Sequence, residues 1–210
     1  MAVYLIIMKL SYAIGVCTEA KELFDLLTLL MEVKRPSDEV VVIKDSGKVT
    51  QQVQNVLDDF PEVIQAERKF DGDFAEHKNF FSTVCKGEYI FNIDADEIPQ
   101  EFLIKVVEQI TSQENPPDFL AIPRINICPG FTQQFLKNHN FSCNDMGWIN
   151  WPDYQGRVYH RDLKWVGKVH EKIQGYKNPK SLEAHPRFSL WHIKSTSKQN
   201  KQNELYSKYG

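Results

Sequence analysis

The sequence has little that would tie it to nucleic acid, to a structural metal or to a bilayer. Net positive charge is absent: 25 Lys and Arg stand against 28 Asp and Glu over 210 residues, a formal charge of -3. No broad field therefore draws the chain to a phosphate backbone, although a local basic patch can still hold phosphates. The four cysteines, Cys17, Cys85, Cys128 and Cys143, form no CxxC pair and have no histidines at zinc-finger spacing, so they read as reduced thiols, mostly in the core. Glycine is sparse where a nucleotide-binding loop would need it: residues 12–22 hold only Gly15, which argues against the Gly-rich basic loop of a nucleotidyltransferase. The apolar run at 3–8 is broken by Lys9, with no basic segment before it and no small-residue cleavage site after it. That reads against a signal peptide or anchor and, with unpaired cysteines, predicts a cytoplasmic chain with no membrane span. No internal repeat is visible.

What is present is ordinary for one soluble domain, with 42% hydrophobic and 25% charged residues. Residues 12–17 form a short apolar run, after which Leu23, Phe24, Leu27, Leu30 and Met31 recur at helical spacing. The β-branched run 40–43 is too short for a helix and closes on Asp45-Ser46-Gly47, as a buried parallel strand would. Val53, Val56, Leu57 and Phe60 give a second helical stripe stopped by Pro61, and 63–66 return to a strand. Phe74, Phe80, Phe81 and Val84 give a third helix, and 89–93 an apolar strand. Pro99 is expected at the first turn of the helix that carries Phe102, Leu103, Val106, Val107 and Ile110.

This alternation predicts an α/β fold with a mostly parallel central sheet flanked by helices and a ligand site beyond the strand carboxyl ends. The second half loses the alternation and gains Trp148, Trp151, Trp165 and prolines, so it reads as strands and long loops. Residues 194–201 are polar enough for an exposed tail or linker. Leu205, Tyr206 and Tyr209 beyond it suit a short docking helix or a lead into further C-terminal domains of a longer chain.

The strand at 89–93 runs straight into Asp94-Ala95-Asp96-Glu97. Side chains two apart on an extended segment project to one side, so Asp94 and Asp96 can face one ligand. Carboxylates so placed suit Mn²⁺ or Mg²⁺ bound to a diphosphate, whose charge grows as it leaves. Asp96 would hold the metal and Asp94 the metal or a ribose. The plain alternative is a turn in which Asp96 or Glu97 caps the next helix.

Three segments in order, Asp73-Phe74-Ala75-Glu76-His77-Lys78-Asn79, residues 87–97 and Trp165-Val166-Gly167-Lys168-Val169-His170-Glu171, resemble family 2 glycosyltransferases of the lipopolysaccharide-core and prophage type. The likeness runs over most of residues 11–193. The whole chain also resembles, less closely, the N-terminal domains of large chlorella-virus glycosyltransferases. The resemblance implies a GT-A fold over 1–193, with a nucleotide-sugar half at about 11–98, an acceptor half at about 99–193, and 194–210 as tail.

It further implies a donor site built round Asp94-Ala95-Asp96. By position, Thr18 and Asp45 fall in the base-binding region, with Asp45 accepting from the uracil imide. The family's Asn near Thr18 is missing here. Lys78 matches a basic residue aimed at ribose or phosphate, and Arg157 one that touches the diphosphate. A solvated lysine and a strand-edge salt bridge are their plain alternatives. His192, in Leu190-Trp191-His192-Ile193, resembles the C-terminal histidine that closes the metal site, though a lone His among apolar neighbours is commonly a core residue. Glu171 occupies the family's His-Glu position as general base, with Asp153 as rival and an exposed glutamate paired to Lys168 or Lys172 as the plain alternative.

The resulting expectation is a metal-dependent transferase, inverting, moving a sugar from a UDP-sugar to a glycan or glycoconjugate acceptor. A retaining enzyme and a non-catalytic nucleotide-sugar-binding module remain as alternatives. An aspartyl phosphatase fits poorly, since its D-x-D belongs on the first strand with a nearby Thr.

Overall fold

The structure is a computed structural model that describes residues 10–195 together with 199 and 200. The apolar run at 3–8 and the segment holding Leu205, Tyr206 and Tyr209 lie outside the described residues.

The first half alternates as its sequence requires. Strand β1 (Leu10–Val16), helix α1 (Ala20–Val33), β2 (Glu39–Asp45), α2 (Gln51–Asp58), β3 (Ile64–Arg68), α3 (Phe74–Val84) and β4 (Tyr89–Asp94) follow one another. β3, β2, β1 and β4 pair in that order, all parallel. Strand alternation sorts the core into two layers. Leu10, Tyr12, Ile14, Val40 and Val42 face α1 and α2, whose Leu23, Leu27, Leu30, Val53 and Leu57 fill one side. Ala13, Val41 and Ile43 face the other side, with Ala75 and Phe81 of α3. Two helices start on side-chain caps: Thr50 Oγ1 accepts from Val53 N, and Asp73 Oδ1 accepts from Glu76 N at 2.9 Å.

The second half completes the sheet by returning strands. β5 (Glu97–Pro99), α4 (Glu101–Thr111), β6 (Phe119–Ile127), α5 (Gln133–His139) and β7 (Ile149–His160) come first. A separate hairpin, β8 (Lys164–Val166) and β9 (Lys172–Gln174), then precedes β10 (Pro179–Ser181) and β11 (Leu190–Ile193). Beyond β4 the order is β7, β6, β11, β5, with β10 also on β6, which makes this sheet nine-stranded among the described residues. β7 runs antiparallel to both β4 and β6, with register shifts against β6. Gly156 sits at such a shift, and a Cβ there would come within 2.6 Å of the Phe119 ring, so the two strands meet only because that side chain is missing.

Two local expectations are corrected. Pro99 ends β5 and does not open α4, whose N-cap is Gln100. Antiparallel pairing of Glu97, Ile98 and Pro99 with β11 takes those residues into the sheet. The polar tail does not begin at Lys194, whose backbone N–H donates to Ile127 O at 2.9 Å and continues the β6–β11 pairing.

Candidate active site

A cleft of about 640 Å³ opens at the carboxyl ends of β1, β2 and β4, the edge that the alternating pattern selects. It gathers Thr18, Asp45, Lys78, Asp94, Ala95, Asp96, Arg157, Glu171 and His192 in its lining. Of the sequence-predicted residues only Asp153 is not part of that lining.

Asp94 ends β4, and Ala95 and Asp96 form a turn, so both carboxylates reach the cleft through a bend and not through an extended strand. They also part company. Asp94 accepts from Arg157 Nη2 at 2.6 Å, while Arg157 also donates to the fully buried Glu97. Glu97 Oε2 in turn accepts from the Asp94 backbone N–H at 3.2 Å, closing the turn. Arg124 Nη1 donates to Glu97 at 3.0 Å, and its Nε and Nη2 to Asp153 at 2.9 and 2.7 Å.

Arg157 lies on β7, an interior strand, so its ion pairs belong to the buried floor and not to a strand edge. The Asp94 side chain is about half exposed, because it faces the cleft, yet protein surrounds it on all other sides. Burial would raise its pKa, but Arg157 and Lys78 overcome this and hold the carboxyl far below the usual range. Glu97 is thus a buried partner of two arginines and does not cap a helix.

Asp153 is spent in this floor. Besides Arg124 it accepts from Asn126 Nδ2 at 2.8 Å and from Gln155 Nε2 at 2.7 Å. With both oxygens occupied and no place in the cleft lining, it is poorly set to take a proton from a substrate.

Asp96 faces His192 Nε2 at 3.6 Å and Lys194 Nζ at 3.9 Å. Burial raises its pKa, but the His192 hydrogen bond and charge, with Lys194, bring it below the ordinary value. Asn126 fixes the histidine. Its Nδ2 donates to Asp153, so its Oδ1 accepts from His192 Nδ1 at 2.8 Å and Nε2 is left for the cleft. A neutral imidazole held this way can bind a cation beside Asp96. Among the described residues no three His, Cys, Asp or Glu converge tightly enough to hold an ion. Of the expected trio, Asp96 and His192 face each other, while Asp94 is paired with Arg157. A pair of protein ligands suits a divalent ion whose remaining ligands are diphosphate oxygens and water.

At the other end of the cleft Asp45 is almost fully enclosed. Its Oδ1 accepts from Gly47 N at 3.0 Å and Phe70 N at 3.1 Å, and its Oδ2 from the Cys17 thiol at 3.7 Å. Burial, Glu19 and Asp45 push that thiol up to about 12. Oδ2 also faces Lys48 Nζ at 4.0 Å, and it can accept from a ligand by replacing or sharing the weak thiol donor. Glu19 Oε2 accepts from the backbone N–H groups of Cys17 and Thr18 at 3.0 and 2.8 Å, so the Thr18 amide is already taken.

Lys78 and Glu171 meet across the cleft mouth at 2.6 Å. The ammonium also lies 4.0 Å from the centroid of the Trp165 ring. Burial lowers the Lys78 pKa, and the charge of Arg157 adds to this. Asn79 locks the hairpin to α3: its Nδ2 donates to Trp165 O and its Oδ1 accepts from Trp165 N, both at 2.9 Å. Glu171 therefore has Lys78 as an ion-pair partner.

No family model and no curated protein sequence matches the chain. Among solved structures it is similar to S. aureus TarS 1-349, with TM-score 0.62 and 15% identity over 89% of this chain and 60% of that one. The same protein in complex with UDP gives 0.61 and 15% over 96% and 65%, and in complex with UDP-GlcNAc 0.59 and 16% over 89% and 59%. The fold is of the GT-A type. The chain spans about three-fifths of the length of these structures.

Within this GT-A fold, three residues of the cleft lining, Arg124, His77 and Lys194, and the buried Glu97 were given no site role from the sequence. Glu97 and Arg124 carried a signal, an acid directly before the apolar Ile98 and a lone cation in the otherwise apolar 119–125. His77 packs edge-on against Phe70 and Phe81, and burial lowers its pKa. Nothing local marked His77 or Lys194.

Proposed function

We propose that the chain transfers a sugar from a UDP-sugar to a glycan or glycoconjugate acceptor, with inversion, using Mn²⁺ or Mg²⁺. The observation that carries this reading is one cleft at the strand carboxyl ends holding Asp45, the Asp94–Asp96 turn, Lys78, His192 and Glu171. The similarity in fold to a protein solved with UDP and UDP-GlcNAc supports the choice of nucleotide.

Asp45 and the Cys17–Thr18 turn sit at the uracil end, with Oδ2 of Asp45 as acceptor for the imide. A divalent ion on Asp96 and His192 would neutralise charge growing on the leaving diphosphate. Arg157 keeps Asp94 ionised and fixed, so the donor meets a rigid floor and little reorganisation is needed. Glu171 takes the proton from the acceptor oxygen as it attacks the anomeric carbon. Trp165 offers an apolar face beside it. The sugar and the acceptor carry no readable code in the lining.

Calorimetry with UDP, with Mn²⁺ and with chelator, on the wild type and Asp96→Ala tests the donor half. The metal-dependent part of the affinity is expected to vanish in the variant, and equal affinity in all four measurements would remove the metal. A screen of UDP-sugars for UDP release tests the transfer half. Binding without release from any sugar or acceptor would reduce the chain to a nucleotide-sugar-binding module, and a product that keeps the donor's anomeric configuration would remove inversion.

A further inference from the structure

Glu171 is held in a way that conflicts with its use as a base. Its carboxylate is ion-paired to Lys78 at 2.6 Å, so the lone pair that would accept a proton is already engaged. Both side chains are mostly enclosed, and pulling them apart with nothing in exchange would strand a charge. A phosphate oxygen offers that exchange, because it can take the ammonium as the carboxylate lets go.

The surroundings restrict the exchange to side-chain tips. Asn79 ties α3 to β8 through both its amide atoms, and Phe74 N donates to Lys168 O at 3.0 Å, fastening the turn before Glu171 to the start of α3. That turn is tight: Gly167 has φ +92°, His170 has φ 56°, and the Glu171 Cα would lie 3.6 Å from a Cβ on Gly167. Lys78, by contrast, has a four-carbon stem with freely turning donors, and shares the cleft lining with Asp94 and Asp96.

We propose that Lys78 is a positioning residue that changes partners during the reaction. Without donor it holds Glu171; when a nucleoside diphosphate enters, its phosphate oxygens take the ammonium and Glu171 is released towards the acceptor. The acceptor oxygen then bonds to the anomeric carbon as the carbon–diphosphate bond breaks, the bonding electrons leave with the diphosphate, and the acceptor proton passes to Glu171. The base becomes available only in the donor complex, so donor precedes acceptor. This rests on the donor-site reading above.

A double-mutant cycle on UDP affinity in Mn²⁺ separates this exchange from simple charge repulsion. Glu171→Gln should bind UDP about 2–5-fold tighter than wild type, the worth of a partly exposed ion pair that no longer competes. In a Lys78→Met background the same Glu171→Gln change should do nothing, because there is no ammonium to compete for. Fluorescence gives an independent reading: UDP should change the Trp165 emission as Lys78 leaves its ring, and Trp165→Phe or Lys78→Met should abolish that change. Thermal melts check that each variant is folded.

Equal tightening in both backgrounds would mean general repulsion and overturn the exchange, as would a wild type whose Trp165 signal ignores UDP. Those results leave the donor site standing, whereas a wild type that binds neither UDP nor GDP in Mn²⁺ would remove both readings together.

Discussion

The ion pairs on the sheet and the ion pair on α3 face the same cleft, but their supports differ. Asp94, Glu97, Arg124, Asp153 and Arg157 project from β4 to β7 and interlock through two guanidiniums, each bonded to two carboxylates. Lys78 and Glu171 stand on a helix and after a turn, joined to each other by one contact. Strand-borne, multiply bonded charges cannot move without breaking several hydrogen bonds, while a single contact between long side chains can be exchanged. The first set is a fixed floor for the cleft; the second is where, on the reading proposed above, charge can shift.

The largest expected effect breaks the second set. Glu171→Gln should lower turnover about 10²–10⁴-fold, the usual contribution of a general base, with little change in melting temperature. Asp153→Asn should do the reverse and cost stability, since it leaves Arg124 with one carboxylate partner fewer. Steady-state rates and melts on both variants check this. Normal turnover in Glu171→Gln would remove it as the base.

Next comes the scaffold. Arg157→Met strands Asp94 and the buried Glu97, and breaking such a pair from one side costs about 3–5 kcal/mol. Lys78→Met leaves Glu171 without its cation but beside an open cleft that water can enter, and should cost less, about 1–3 kcal/mol. Urea unfolding of both variants measures the contrast, and equal losses would erase the distinction between the two sets.

Acid sharpens the same contrast. Arg157 and Lys78 outweigh burial and hold Asp94 low, and Arg124 with its neighbours does the same for Asp153. A carboxyl depressed in the folded state contributes stability above its unfolded pKa, about 3.9, and loses it as pH falls through the folded value. The melting temperature should therefore hold from pH 7 to about 5 and fall steeply below about 4. Arg157→Met should flatten that fall, because Asp94 then has less depression to lose. A wild-type melt unchanged down to pH 3 would contradict the assignment.

The two sets also differ in how legible they were. β1, β2 and β4 announce themselves as short, mostly apolar runs, and Asp94 and Asp96 stand out at the end of one of them. Lys78 and Glu171 were each singled out through the resemblance, but nothing local joins residues so far apart in sequence. The floor was least legible of all. Asp94 meets Arg157 across 63 residues and Glu97 meets Arg124 across 27, on strands that sequence order does not make neighbours. Periodicity reports which face a side chain takes, not which strand will lie beside it. Lys194 was lost for the same reason: a polar composition reads as tail until β11 pairs with β6 and carries it to Asp96.

A more local effect lies at the far end of the cleft, where neither set reaches. Asp45→Asn should keep the turn, because the remaining Oδ1 can still accept from Gly47 and Phe70. It changes only the second atom, from an acceptor that now faces the Cys17 thiol to an amide donor. Uracil presents an N3–H there and needs an acceptor; cytosine presents a bare N3 and needs a donor. The variant should therefore lose about tenfold in UDP affinity, roughly 1.4 kcal/mol, and gain relative affinity for CDP. Competition between UDP and CDP on both proteins reads this directly. An Asn variant that still prefers UDP by the wild-type margin would move base selection off Asp45, and a wild type that binds both nucleotides equally would mean that this end of the cleft does not read the base edge.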